Sequence, residues 1–439
     1  MTYETPMFNL KAAVEKTGLK AHTLRAWERR YGLPKPQRSE GGHRLYSQWD
    51  VEIIKWLASR QGEGLNISRA VELWKQLTAD GEDPLGPAPS PEPPAAVTGA
   101  TVDALRQAWI EACLSFDEAR ADQIVVEASA FLDPDTAVTS VLQQGLSQIG
   151  DLWYAGKATI QQEHFATESA LRRVEALIVA SPPSSRRELI MAAGPPGERH
   201  GFSLLLATLL LRRRGWNVIH LGADVPLARL GETVAGHRPD MVISAAQQLP
   251  TAATLLEMAT LLHREGVTTA YGGWVFNRIP QLRSRIPGHF LGEHLERVPE
   301  RVEALLGTPL PPPAEPLTPE RLEALTHYRE QRPLIEAEIG RFLEGLSMRG
   351  EHLAVAMQQL PSYLAAALSL CDLGCMDPCV DWIEGLLANL GLPDNLLPRY
   401  LQAYQQAASL HLDDRGEPIL NWLASRLEKV ADRERHEPS

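Results

Sequence analysis

Glu198-Arg199-His200-Gly201-Phe202-Ser203 stands where an apolar, strand-like run, Glu188–Ala193, gives way to a helix-like segment. Three further runs of this kind follow, Asn217–Leu221, Met241–Ala245 and Thr268–Tyr271, each trailed by a helix-like stretch. Strands and helices alternating in this way predict a parallel sheet with crossover helices. A short strand near His289–Leu291 completes a five-stranded, flavodoxin-like sheet. Open parallel sheets bind ligands in the crevice outside the carboxyl ends of their strands, and the loop that carries His200 lies at such an end.

A chain of 439 residues exceeds what one hydrophobic core usually supports, so about three domains are expected. Proline-rich stretches at 81–99 and 308–319 cut it and predict semi-extended spacers rather than packed structure. The expected organisation is a head at 1–78, a linker at 79–100, a helical cap at 101–182, the α/β domain at 187–307, a linker at 308–317 and an all-helical domain at 318–435. Thr318-Pro319-Glu320, an N-cap followed by a first-turn proline and an acidic residue, opens the last of these. No apolar run approaches the roughly 18 residues that a membrane span requires. The N-terminus lacks the basic start and apolar stretch of a signal peptide, so the expected location is the cytoplasm and no membrane partner is expected. Four cysteines, Cys113, Cys371, Cys375 and Cys379, are too few for a disulfide scaffold.

The net charge of −12 is unevenly placed. Residues 1–78 hold 13 Lys and Arg against 8 Asp and Glu, a net of +5, which leaves −17 on the rest. That asymmetry favours nucleic-acid contact by the N-terminal part alone. There, Phe8, Leu10, Ala13 and Val14 form an apolar helical face, Gly18 breaks it, and Thr23-Leu24-Arg25-Ala26-Trp27-Glu28-Arg29-Arg30-Tyr31 supplies a basic second helix suited to the major groove. Thr23, Arg25, Arg29, Arg30 and Tyr31 are its candidate DNA contacts, whereas Trp27 and Leu45 are expected in the domain core. Arg38-Ser39-Glu40-Gly41-Gly42-His43-Arg44-Leu45-Tyr46 has the two glycines of a tight hairpin, a wing on which Arg38, Arg44 and Tyr46 are placed to bond phosphates. From Phe8 to about Leu73 the chain resembles the MerR family of regulators, including its Arg-Ala-Trp-Glu and Gly-Gly-His-Arg-Leu-Tyr signatures. That resemblance implies a winged helix-turn-helix that binds double-stranded DNA.

Imidazole is a good ligand for cobalt, and a ligating histidine is usually oriented by a carboxylate on its second ring nitrogen. His200 is the candidate ligand and Glu198 its orienting partner. Residues 188–306 resemble the cobalamin-binding domain shared by methionine synthases, corrinoid carrier proteins and mutases, on Glu198-Arg199-His200-Gly201-Phe202-Ser203, Ser244-Ala245-Ala246 and Gly272-Gly273. Ser203 stands where that family has glycine and Ala246 where it has leucine. The resemblance makes His200 the lower cobalt ligand and puts Glu198, Ser203, Ser244, Gly272 and Gly273 around the corrinoid.

Upstream, Gly150-Asp151-Leu152-Trp153-Tyr154-Ala155-Gly156 precedes Glu163-His164. This spacing resembles the helical cap of the CarH and LitR light-responsive repressors. It implies that Trp153, Glu163 and His164 lie over the upper face of adenosylcobalamin, and that His164 reaches cobalt after photolysis removes the adenosyl group. The implied protein is a DNA-binding regulator whose homo-oligomer, a dimer or tetramer, responds to light. A corrinoid carrier for methyl transfer is the alternative in another class, but a carrier has no need of a winged helix. A regulator that senses another tetrapyrrole, or redox state, is a third. No nucleophile, acid–base pair or phosphate loop identifies an enzyme.

The helical residues 318–435 have no counterpart in shorter repressors of this type. Cys371, Cys375 and Cys379 recur at every fourth position, one drifting stripe on a continuous helix, with Pro378 arguing for a bend or an end there. They are read as small buried hydrophobes, as a metal or iron–sulfur site, or as a redox switch or attachment point for a second chromophore such as a bilin.

Overall fold

The computed structural model describes residues 6–39, 41–62, 67–79, 99–343, 351–370, 373–393 and 395–436. The chain divides into two compact units, 1–96 and 97–439. The first proline-rich stretch lies outside the described residues except at its end. No helix among the described residues is long and apolar enough to cross a membrane.

In the first unit β1 (Pro6–Asn9) leads into α1 (Leu10–Thr17) and α2 (Ala21–Tyr31), followed by β2 (Gln37–Arg38), β3 (Arg44–Ser47), α3 (Gln48–Gly62) and α4 (Ile67–Ala79). The Asn9 side chain accepts from the Ala12 amide and starts α1. The strands form a small antiparallel sheet in the order β1-β3-β2, with β2 and β3 as the expected wing hairpin. Leu24, Trp27, Tyr46, Ile54, Leu57 and Trp74 make the core, where Trp56 packs edge-on to Trp74 at 5.2 Å between centroids.

The second unit starts with the helical cap: α5 (Gly99–Leu114), α6 (Glu118–Phe131), the short α7 (Pro134–Ala137), α8 (Gln144–Tyr154) and α9 (Ile160–Val179). A capping box between Thr159 and Gln162 opens α9. The sheet domain follows as β4 (Leu189–Ala193), α10 (Phe202–Arg213), β5 (Asn217–Gly222), α11 (Leu230–His237), β6 (Met241–Ala245), α12 (Leu249–Arg264), β7 (Thr268–Gly272), α13 (Trp274–Arg278), β8 (His289–Phe290) and α14 (Val298–Leu305). All pairings are parallel and the order is β5-β4-β6-β7-β8, the doubly wound arrangement expected. The apolar surface of the cap does not end at its own helices: Trp109, Val141 and Leu142 continue into Leu205, Leu206 and Leu209 of α10. Cap and sheet therefore share one core.

The chain ends in α15 (Pro319–Leu343), α16 (Glu351–Leu370), α17 (Asp377–Asn389), α18 (Leu396–His411) and α19 (Glu417–His436). This domain is not held off by a spacer. Residues 308–318 have no regular structure but lie along the sheet domain: His263 Nε2 donates to the Pro311 carbonyl at 2.9 Å, Arg285 pairs with Glu315 at 3.3 Å, and Leu317 packs on the core. A single buried cluster runs from Leu255 and Met258 of α12 through Leu364 of α16 to Leu401 and Tyr404 of α18. The expected spacer is thus a packed strap, because the α12 face beneath it is apolar and is buried by the last domain.

The cysteines do not form a stripe on one helix. Cys371 lies outside the described residues, Cys375 sits in a 3-10 turn, and Cys379 is in α17, where Pro378 begins a helix rather than ending one. Cys375 is buried and disulfide-bonded, while Cys113 and Cys379 are free thiols. Burial pushes Cys379 up to about 11 and Cys113 up to about 12, which makes them poor nucleophiles.

Candidate functional site

The loop after β4 turns Glu198 inward, and this carboxylate is almost fully buried, 2% exposed. Four donors converge on it. Oε1 accepts from the His200 amide at 2.9 Å and from His200 Nδ1 at 2.6 Å. Oε2 accepts from the Gln247 amide at 2.7 Å and from Thr251 Oγ1 at 2.6 Å. Burial pushes the carboxyl upward, but these hydrogen bonds outweigh it and hold Glu198 below the ordinary value, so it stays charged. The hydrogen bond that His200 donates to Glu198 raises the histidine above the usual imidazole value against an opposing desolvation. In the neutral imidazole, a proton held on Nδ1 by Glu198 leaves the lone pair on Nε2, and the His200 side chain is 59% exposed.

The residues expected around this histidine are assembled there. Ser203 Oγ accepts from Gln247 Nε2 at 2.9 Å, and Gln247 Oε1 in turn accepts from the Trp274 amide at 2.9 Å. Ser244, buried, donates to the Ala193 carbonyl at 2.7 Å. Gly272 ends β7, and Gly273 follows with φ +119°, the left-handed half of the map that side chains avoid. A Cβ on Gly273 would overlap the Ala246 carbonyl oxygen. The carboxyl end of the sheet is therefore closely cradled between β4, β6 and β7.

The cap residues are placed differently. Glu163 accepts from Thr167 Oγ1 at 2.9 Å, and its charge reaches His200 and helps to raise it. His164 is exposed on α9 and Trp153 is half-buried at the end of α8. Among the described residues, no hydrogen bond joins Trp153 or His164 to the His200 loop. Gln247 and Thr251 are the contributors that sequence reasoning missed. The signal available was faint, two polar residues just beyond the apolar run of β6.

Among the described residues there is no cluster of three His, Cys, Asp or Glu able to hold a bare metal ion. One oriented imidazole nitrogen above a closely packed sheet edge suits a metal that brings its own equatorial ligands, as a corrin macrocycle does. The donor set thus fits the corrinoid expected from the sequence.

On the head, Leu24 and Trp27 point inward from α2, and Arg25, Arg29 and Arg30 are exposed on its other side, with Arg38 exposed on the wing. Thr23 and Tyr31 are half-buried, and the Tyr31 hydroxyl lies 3.1 Å from Ser68 Oγ. Arg44 is half-buried and forms an ion pair with Glu28 at 2.7 Å, tying wing to recognition helix. Tyr46 corrects the expectation of a phosphate contact: it is fully buried, and its hydroxyl has no hydrogen-bond partner among the described residues. The reason is positional, since β3 is the central strand and its inner face forms the core of the head.

Residues 8–77 match the model of the MerR HTH family regulatory protein, and residues 105–178 match that of the B12 binding domain. The HTH-type transcriptional repressor CarH of Myxococcus xanthus is 34% identical over 241 residues, 54% of this chain and 77% of CarH. The repressor CarA of the same organism is 30% identical over 235 residues, 53% of this chain and 74% of CarA. Among solved structures, the monomethylamine corrinoid protein of Methanosarcina barkeri aligns with 46% of this chain and 99% of its own at a TM-score of 0.40 and 18% identity; the fold assignment rests on strand order, not on that likeness. The chain belongs to the family of MerR-type, cobalamin-binding, DNA-binding transcriptional regulators that includes CarH and CarA.

Proposed function

We propose that this regulator is a light sensor: its cofactor is adenosylcobalamin, and photolysis alters both its homo-oligomeric assembly, dimer or tetramer, and its grip on DNA. The observation that carries this reading is the single exposed imidazole nitrogen of His200, held in one tautomer by a buried carboxylate. When bound, adenosylcobalamin supplies a cobalt–carbon bond that light breaks. His200 Nε2 would be the protein ligand to the cobalt, with Glu198 orienting its ring, and Ser203, Ser244, Gly272 and Gly273 would line the corrinoid site. Trp153 and Glu163 would cover the bound cofactor from the cap, and His164, exposed on α9, would be the second histidine available to it. Arg25, Arg29, Arg30 and Arg38 contact DNA, with Thr23 and Tyr31 at the edge of that surface and Arg44 holding the wing. The cofactor acts only through its different affinities for two states of the assembly.

The test is the absorption spectrum and elution volume of protein incubated with adenosylcobalamin in the dark, gel-filtered, and measured again after green light. Co-eluting corrinoid whose spectrum and elution both change on illumination supports the proposal. Retained corrinoid that is inert to light sinks it and leaves a cofactor sensor that works in the dark.

Glu198→Gln is expected to keep the fold but free the His200 tautomer. Cobalamin affinity falls on the order of 10–100-fold, the usual effect of losing a carboxylate behind a metal-ligating histidine. Equilibrium dialysis measures this, and unchanged affinity would show that Glu198 does not orient the ligand.

A further inference from the structure

The last domain touches both the sheet domain and the cap. At one end of α17 the Pro378 carbonyl accepts from Arg278 at 3.1 Å, just beyond the Gly272-Gly273 turn. At the other end the helix meets the cap. Trp382 stacks on Tyr154 at 5.4 Å between centroids with planes 27° apart, and its ring lies 6.0 Å from that of Trp153. Asn389 Nδ2 donates to the Tyr154 carbonyl at 3.0 Å. Two glycines make the approach possible: a Cβ on Gly156 would stand 2.8 Å from the Asn389 carbonyl oxygen, and one on Gly385 would strike the Tyr154 hydroxyl. Beside α17, Tyr363 of α16 is pushed well above its ordinary value by burial first, then by Cys379 and by the charge of Glu198, so α16 too lies within electrostatic reach of the His200 loop.

We infer that α17 is a third wall of the corrinoid cleft, bridging sheet and cap, and that Trp382 is the positioning residue that holds Trp153 over the cofactor's upper face. The inference rests on the assignment of Trp153 to that face. Sheet and cap already share a core at α10, and α17 adds a second contact with both, through Arg278 on one side and Tyr154 on the other. Trp382 touches the rings of both Tyr154 and Trp153, which leaves it few alternative rotamers, and a Trp153 backed by this fixed ring favours a bulky upper group over a small one. The wall therefore acts on the choice of upper ligand and leaves His200 ligation from below untouched.

The test compares Trp382→Ala and Trp382→Phe in the full chain with the unaltered protein, by titration with adenosylcobalamin in the dark and with aquocobalamin. Trp382→Ala is expected to bind adenosylcobalamin roughly tenfold more weakly and aquocobalamin within about twofold of the unaltered protein, a loss in the range of one or two aromatic contacts. The absorption signature of histidine ligation stays in place, and Trp382→Phe recovers most of the loss. Equal loss for both corrinoids, or no loss for either, overturns the inference, and if the alanine variant misfolds, Trp382→Leu, which removes the aromatic ring but keeps bulk, decides by the same ratio. If the unaltered protein itself fails to distinguish the two corrinoids, it is the adenosylcobalamin proposal that fails.

Discussion

Cobalamin bound to His200→Ala is expected to lose the absorption bands of histidine ligation, with affinity down on the order of 100-fold or more. Loss of an orienting group behind a ligand already costs about 10–100-fold, and this variant removes the ligand itself. The ligand-free fold should barely change. The side chain is 59% exposed, and among the described residues its one side-chain hydrogen bond is to Glu198. Glu198 keeps the amide of residue 200, the Gln247 amide and Thr251 as donors, so the buried charge stays satisfied. A stability change of about 1 kcal/mol or less is therefore expected on thermal unfolding. Unaltered affinity and spectrum in this variant would remove His200 from the site.

The largest loss of stability is expected from Gly273→Ala. The residue must hold φ +119°, and the added methyl would overlap the backbone oxygen of Ala246, an atom on a strand end that cannot move aside independently. Backbone strain of about 1–3 kcal/mol and overpacking of about 1–3 kcal/mol both apply, for a combined cost of roughly 2–6 kcal/mol. The midpoint of thermal unfolding should fall by roughly 5–15 °C. Gly272→Ala is the internal control: a Cβ there meets nothing within 4 Å, so it should cost about 1 kcal/mol or less. Equal melting of the two variants would show that the turn relaxes around Gly273.

What could be seen in the chain beforehand was local in character. The strand runs were visible because continuous apolar stretches bounded by helix-like segments have one stable arrangement, and their boundaries fell within a residue or so of those observed. Glu198 and His200 were legible as a pair because two positions in one loop carry both the ligand and the group that orients it. Thr251 escaped notice, since it meets Glu198 across 53 residues and only because α12 starts beside the β4 loop. Tyr46 was misplaced because alternation along a short strand shows which residues share a face, not which face is covered by helices.

By itself, then, the sequence determined the basic winged head, the order of helices and strands, and the histidine with its carboxylate, all of them consequences of short-range pattern and composition. Tertiary structure alone decided that Gln247 and Thr251 complete the carboxylate's hydrogen bonds, that Tyr46 is core, and that the last domain packs on the sheet rather than hanging from a linker. Asn389 and Tyr154 meet across 235 residues. Such a contact is written in no local pattern: it follows from which apolar faces are left uncovered once each domain has folded, and α17 lies against the cap because the α12 face that docks its domain is buried in doing so.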